Sequence, residues 1–128
     1  MIPKTASALT PADIDLFSAN LKTRQLTMDQ QMQQRLQAAH LVARRAAKLL
    51  KEQFAAKSVV LFGSVVTPGL FHSRSDIDLA VWGIQESEYY RVVGLLQSLD
   101  SRFPIDLILF EEASTSLQQT IRKEGMEI

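Results

Sequence analysis

Residues 63–78 read Gly63-Ser64-Val65-Val66-Thr67-Pro68-Gly69-Leu70-Phe71-His72-Ser73-Arg74-Ser75-Asp76-Ile77-Asp78. This stretch joins two segments of extended character. Before it, Ser58-Val59-Val60-Leu61-Phe62 is a short β-branched and apolar run stopped by Gly63, which predicts a buried strand. Where the stretch turns acidic, residues 76–82 predict a second strand that ends at Gly83.

Further along, residues 86–101 read as a helix with Val92, Val93, Leu95, Leu96 and Leu99 inside. Pro104 breaks it, and residues 105–110 predict a third strand. A last helix fits 112–124, with Gly125 as its stop. Toward the N-terminus, Thr10-Pro11 followed by Asp13 reads as the start of a short helix over 11–21. Thr27 with Gln30 makes a capping-box pattern ahead of a second, long helix from 28 to about 56. Its apolar positions, Met28, Met32, Leu36, Ala39, Val42, Ala46, Leu49, Leu50 and Phe54, recur mostly at steps of three or four. The other face carries Arg35, Arg44, Arg45, Lys48 and Lys51, either as a solvated side or as a surface that docks a partner. The expected fold class is α/β (α+β): a small sheet backed by helices and preceded by two N-terminal helices, the second long. One domain spans 1–128, with 1–57 a helical N-terminal extension and 58–128 the sheet-bearing core.

Composition narrows the class. With 128 residues, 46% of them apolar, the chain can bury a core without metal clips or disulfides. It has no cysteine, so disulfides and thiolate metal sites are excluded. No stretch approaches the roughly 18 apolar residues of a membrane span, and residues 1–15 lack the basic-then-apolar run of a secretory signal. A cytoplasmic protein is the expectation. The formal net charge is zero, which argues against extended nucleic-acid binding through a basic surface. Within that balance, residues 1–57 carry +5 and residues 58–128 carry −5, and an acidic second half suits a cation-dependent site as well as it suits chance.

The acidic residues carry the chemistry. Asp76 and Asp78, two apart on a strand, point to one face. Carboxylates held that close repel, and a hard divalent cation bound through oxygen relieves the repulsion; a solvated strand end would do so too. Asp106 is the one charge in Ile105-Asp106-Leu107-Ile108-Leu109-Phe110. A buried carboxylate there needs a cation, a hydrogen-bond network or an exposed strand end. If the third strand lies beside the second, Asp106 joins the pair. Directly after the first strand, Gly63 lets the backbone approach a ligand closely. The Ser64 hydroxyl and the amides of a following helical turn are suited to phosphate oxygens.

Gly63-Ser64, a gap of eleven residues, Asp76-Ile77-Asp78-Leu79 and the later Asp106 resemble the signature of the polymerase-β-like nucleotidyltransferase superfamily. Within it, the chain resembles the minimal nucleotidyltransferase (MNT-type) domains found beside HEPN-domain partners in toxin–antitoxin pairs. The resemblance covers about 58–128, including the closing Ile121-Arg122-Lys123-Glu124-Gly125. It implies a small mixed β-sheet palm, with Asp76 and Asp78 holding two magnesium ions. Asp106 would bind the ion that activates the acceptor hydroxyl and would assist in taking its proton. Gly63, Ser64 and Arg74 would contact the triphosphate, with ATP as the donor. Many relatives carry an arginine soon after the glycine-serine pair. Here Val65-Val66-Thr67-Pro68 follows, and the first arginine is Arg74.

Three functions fit. The leading one is an antitoxin-like adenylyltransferase that modifies a hydroxyl of a HEPN-domain protein. The second modifies a small molecule such as an aminoglycoside, with a homo-oligomer supplying the missing acceptor-holding domain. The third is a non-catalytic module that masks a partner through residues 1–57. Other conspicuous side chains have structural alternatives: His72 as an exposed loop residue or a phosphate contact, Trp82 as core or base pocket, and Tyr89 and Tyr90 as partly buried helix residues. No Walker loop and no dinucleotide fingerprint is present.

Overall fold

The computed structural model describes residues 10–128; the N-terminal reading over residues 1–9 lies outside them. By contacts the chain divides into two units, Met1–Gln34 and Arg35–Ile128. Helix α1, Pro11–Phe54, contributes to both.

The two expected N-terminal helices are one. Thr10 does cap the start: the Asp13 carboxylate accepts from the Thr10 amide and hydroxyl at 3.0 and 2.9 Å, and the Asp13 amide donates back to the hydroxyl at 3.2 Å. Thr27, however, does not cap a second helix. Its hydroxyl donates to the Thr23 carbonyl at 3.0 Å, one turn back, and Thr23 does the same to Ala19 at 3.0 Å. With no proline or glycine between 12 and 54, nothing interrupts the helix. It stops at Ala55, which takes a left-handed φ of 56°, while the Ala56 amide donates to the Leu50 carbonyl at 3.1 Å. A left-handed residue just past the last turn, with a backbone bond back to the helix, ends it.

The unit from Arg35 onward carries a four-stranded sheet in the order β3-β2-β1-β4, with β1 at Ser58–Phe62, β2 at Ile77–Trp82, β3 at Ile105–Leu109 and β4 at Met126–Glu127. β1 pairs antiparallel with β2 and with β4, and β2 pairs parallel with β3. The parallel pair is joined by α2, Tyr89–Gln97, as a crossover requires. α2 is shorter than the expected 86–101 because Glu86–Glu88 forms a separate 3-10 turn. α3, Thr115–Glu124, starts later than expected because Ser114, not residue 112, caps it, accepting from the Leu117 amide at 3.2 Å.

Alternation along the strands splits the core into two layers. On one face Val59, Leu61, Ile77, Leu79, Val81, Ile105 and Leu107 meet Ala39, Ala43, Ala46 and Leu50 of α1 and Val92 and Leu96 of α2. Alanines on α1 let the helix lie close to the sheet, and Leu50, fully buried, contributes about 1.5–3 kcal/mol. On the other face Ala80, Phe62, Phe110 and Ile121 form a smaller cluster with Val60, Trp82, Ile108 and Leu117. β3 is an edge strand, and side chains occupy its outer groups. Gln97 both donates to the Ile105 carbonyl and accepts from the Ile105 amide, and the Tyr89 hydroxyl donates to the Leu107 carbonyl at 2.8 Å. Among the described residues, no helix is long and apolar enough to cross a membrane.

Candidate active site

The strand register brings the second and third aspartates together. Asp78 on β2 is the Cα partner of Asp106 on β3, and Phe62, the last residue of β1, is the partner of Asp78 on its other side. Ile77, Leu79, Ile105 and Leu107 point into the larger core layer. Asp78 and Asp106 therefore point to the opposite face, one strand spacing apart. Asp76 precedes β2 and is exposed, as is Asp106, whereas Asp78 is half-buried.

Electrostatics register this crowding. Burial, followed by the charges of Asp106 and Asp76, pushes the Asp78 carboxyl up from 3.8 to about 6. The donor set is all carboxylate oxygen, which fits a hard divalent cation such as magnesium. Among the described residues, no three carboxylate, histidine or cysteine side chains are drawn together as a closed ligand set. What is present is a pair in register, with a third carboxylate near enough to repel Asp78.

Gly63 closes the site from β1. It takes φ +79°, and a Cβ placed on it would meet the Asp78 Oδ2 at 2.2 Å. Only glycine lets the chain turn this close to the carboxylate. Residues Gly63–Val66 then form one turn of 3-10 helix, shorter than the helix start expected at Ser64. The Thr67 hydroxyl bonds the Gly63 carbonyl at 2.8 Å and the Thr67 amide bonds the Ser64 carbonyl at 3.3 Å, which fixes the turn. Ser64 is half-buried beside Gly63.

The loop before β2 is held by Ser75 and His72. The Ser75 side chain is buried and accepts from the His72 amide at 2.8 Å, and the Ser75 amide donates to the His72 carbonyl at 3.0 Å. His72 Nδ1 accepts from the Arg74 amide at 3.1 Å, so this histidine braces the loop that delivers Asp76. Arg74 is exposed and forms no ion pair among the described residues.

Trp82 belongs to the core: its ring stacks on Phe110 with centroids 4.1 Å apart and an interplanar angle of 22°. Tyr89 is half-buried, as expected, but Tyr90 is 87% exposed and is not a packed residue. Tyr89 is a neighbour of Asp106 that the sequence did not mark. Burial and then the charge of Asp106 push its phenol up, which puts it within electrostatic reach of that aspartate. It also lines a cleft of about 410 Å³ with Tyr90, Leu107, Leu109, Glu112 and Leu117. No spacing rule marks such a residue, because its place depends on α2 folding against the β3 edge.

Comparison with known proteins agrees with this fold. Residues 44–128 match the family profile described as polymerase beta, nucleotidyltransferase. No curated protein matches. Among solved structures, a mutant MntA–HpeT toxin–antitoxin complex is similar at 26% identity and a TM-score of 0.57, over 66% of this chain and 70% of that one. The complex of tri-AMPylated Shewanella oneidensis HEPN toxin with MNT antitoxin is similar at 26% identity and a TM-score of 0.53, over 70% of each chain. A toxin–antitoxin structure with AMP-PNP is similar at 30% identity and a TM-score of 0.54, over 62% of this chain and 66% of that one.

Proposed function

The chain belongs to the polymerase β nucleotidyltransferase family, and from that premise we propose that it transfers AMP from ATP to a hydroxyl of a HEPN-type partner protein, as the antitoxin of a toxin–antitoxin pair in the cytoplasm. The observation that carries this reading is the in-register pairing of Asp78 with Asp106, with Asp76 adding its charge and Gly63 pressed against the Asp78 carboxylate. The AMPylated toxin of the similar Shewanella complex supports AMP as the transferred group and a HEPN protein as the acceptor. The AMP-PNP structure supports ATP as the donor.

Magnesium held by Asp76, Asp78 and Asp106 would neutralise the triphosphate and stabilise the charge that develops during displacement. The chain's own residues supply position. The Gly63-Ser64 turn lets backbone and hydroxyl approach the phosphates closely. The acceptor oxygen attacks the α-phosphate, the bond to the β-phosphate breaks, and pyrophosphate leaves. Asp106, exposed at the strand edge, takes the acceptor's proton. Tyr89, whose phenol feels the charge of Asp106, also borders a cleft of about 410 Å³ that offers room for a side chain of the acceptor.

The test is the intact mass of the partner encoded by the adjacent reading frame after incubation with this chain, ATP and magnesium. Mass increments of AMP that vanish when Asp106→Asn replaces the wild type support the reading. Tight association with no added mass, under conditions where ATP binds, would leave a masking module instead.

A further inference from the structure

Asp106 stands on the outer strand of the sheet, where β2 pairs with one side of the backbone and no strand pairs with the other. The Ile77 amide donates to the Pro104 carbonyl at 2.9 Å, and the parallel register sets Ile77 beside Ile105 and Asp78 beside Asp106. Residues 106 and 108 therefore turn their amides and carbonyls inward to β2, and Ile105 and Leu107 turn theirs outward. Those two residues flank Asp106 and are 4% and 1% exposed. Backbone groups on residues so well buried need partners from the protein.

Helix α2 supplies partners from its two ends. Gln97, its last residue, donates its side-chain Nε2 to the Ile105 carbonyl and accepts from the Ile105 amide through Oε1 at 3.2 Å. A carboxamide thus offers the same donor and acceptor that a residue of a neighbouring strand would. Tyr89, its first residue, donates its hydroxyl to the Leu107 carbonyl at 2.8 Å. A neutral phenol has one proton, and this one is committed to the backbone. Tyr89 feels the charge of Asp106 but has no proton free to exchange with it. Whatever it does for the aspartate, it does through the strand.

We infer that Gln97 and Tyr89 are positioning residues for Asp106: standing in for a missing strand, they hold the peptide units on either side of it and so keep its carboxylate beside that of Asp78. The inference rests on the reading of Asp106 as a magnesium-binding residue. The apolar side chains of Ile105 and Leu107 and the ladder to β2 already anchor the strand. The bonds from α2 decide where its free edge lies. Magnesium tolerates little departure from octahedral geometry, so a displaced ligand costs affinity.

The test uses the full chain and two variants that nearly preserve side-chain size, Gln97→Met and Tyr89→Phe. Amide hydrogen exchange, magnesium affinity and chemical denaturation are measured on each. Exchange at the Ile105 amide speeds up in Gln97→Met, while the Asp106 and Ile108 amides, which face β2, change little. Magnesium affinity falls about 10-fold in either variant. In an Asp106→Asn background the same substitutions leave magnesium affinity where Asp106→Asn alone puts it, yet lower the denaturation midpoint as before. Lower stability with unchanged magnesium affinity makes the two residues structural only and overturns the inference. An equal loss of affinity in the Asp106→Asn background does so too. A wild type that shows the difference in magnesium affinity but transfers nothing to the partner supports the inference and sinks the proposed acceptor alone. A wild type that binds no magnesium overturns both.

Discussion

Asp78 and Asp106 are register partners on adjacent parallel strands, with both carboxylates on the face turned away from α1 and α2. Neither strand needs an acid at that position to form. Their neighbours at Ile77, Leu79, Ile105 and Leu107 supply the packing, and the aspartates bring only repulsion. An arrangement that costs stability and persists is what a site built for a cation and a phosphate looks like.

Removing the repulsion separates function from stability. Asp78→Asn is expected to lower nucleotidyl transfer by about 10²–10³-fold or more while making the fold more stable at pH 7. The gain is on the order of 1–2 kcal/mol, after discounting for the partial exposure of the carboxyl. Chemical denaturation beside a transfer assay measures both in one preparation. A loss of both together would make Asp78 a structural residue.

The pH dependence has a definite sign. Burial and neighbouring charge raise the Asp78 carboxyl to about 6 from 3.8, so the native state holds its proton more tightly than the unfolded chain. Its contribution is full below about pH 4 and is lost as pH rises through about 6. The stability difference between wild type and Asp78→Asn should therefore widen over that interval in divalent-free buffer. Magnesium at pH 7 should raise the melting temperature of the wild type more than that of the variant. Equal responses of the two proteins to magnesium would argue against a cation at Asp78.

Gly63→Ala tests the close approach of β1 to the site. The added methyl would stand 2.2 Å from the Asp78 Oδ2 on a backbone with φ +79°. Both effects oppose folding, by about 1–2 kcal/mol for the left-handed conformation alone. Transfer should be lost well beyond what the fall in stability explains, since the carboxylate must move. A variant that retains wild-type activity would show that the turn does not shape the site.

Much of the sheet and of the acidic pair could be read in advance, and the reasons are local. Ser58–Phe62 is short, apolar and ended by a glycine, and the lone charge in 105–110 marks a strand with one functional position. The misreadings have equally local causes. Thr27 carries the letters of a capping box, but its hydroxyl bonds backward to Thr23, so one helix stood where two were expected. β4 was not anticipated, because two residues have no period to detect. It forms because Gly125 lets the chain pass where a Cβ would meet Val60 Cγ1 at 2.3 Å and the Ile121 carbonyl oxygen at 2.4 Å. Tyr89 beside Asp106 is a tertiary juxtaposition that no spacing encodes.

The end of α1 offers a check that leaves the site untouched. Ala55 holds a φ of 56° where glycine is the unstrained choice. Ala55→Gly should raise stability by about 0.5–1 kcal/mol, the relief of strain outweighing the added freedom of the unfolded chain. Equilibrium denaturation reads this directly, and transfer activity should not change.

The central claim is most directly tested by following label from ATP carrying radioactive phosphorus at either the α- or the γ-position, with magnesium, this chain and the protein from the adjacent reading frame. The account predicts label on the partner from the α-position only, pyrophosphate release in step with it, and neither with the Asp76→Ala, Asp78→Ala double variant. Transfer from the γ-position, or full α-transfer by the double variant, would contradict it.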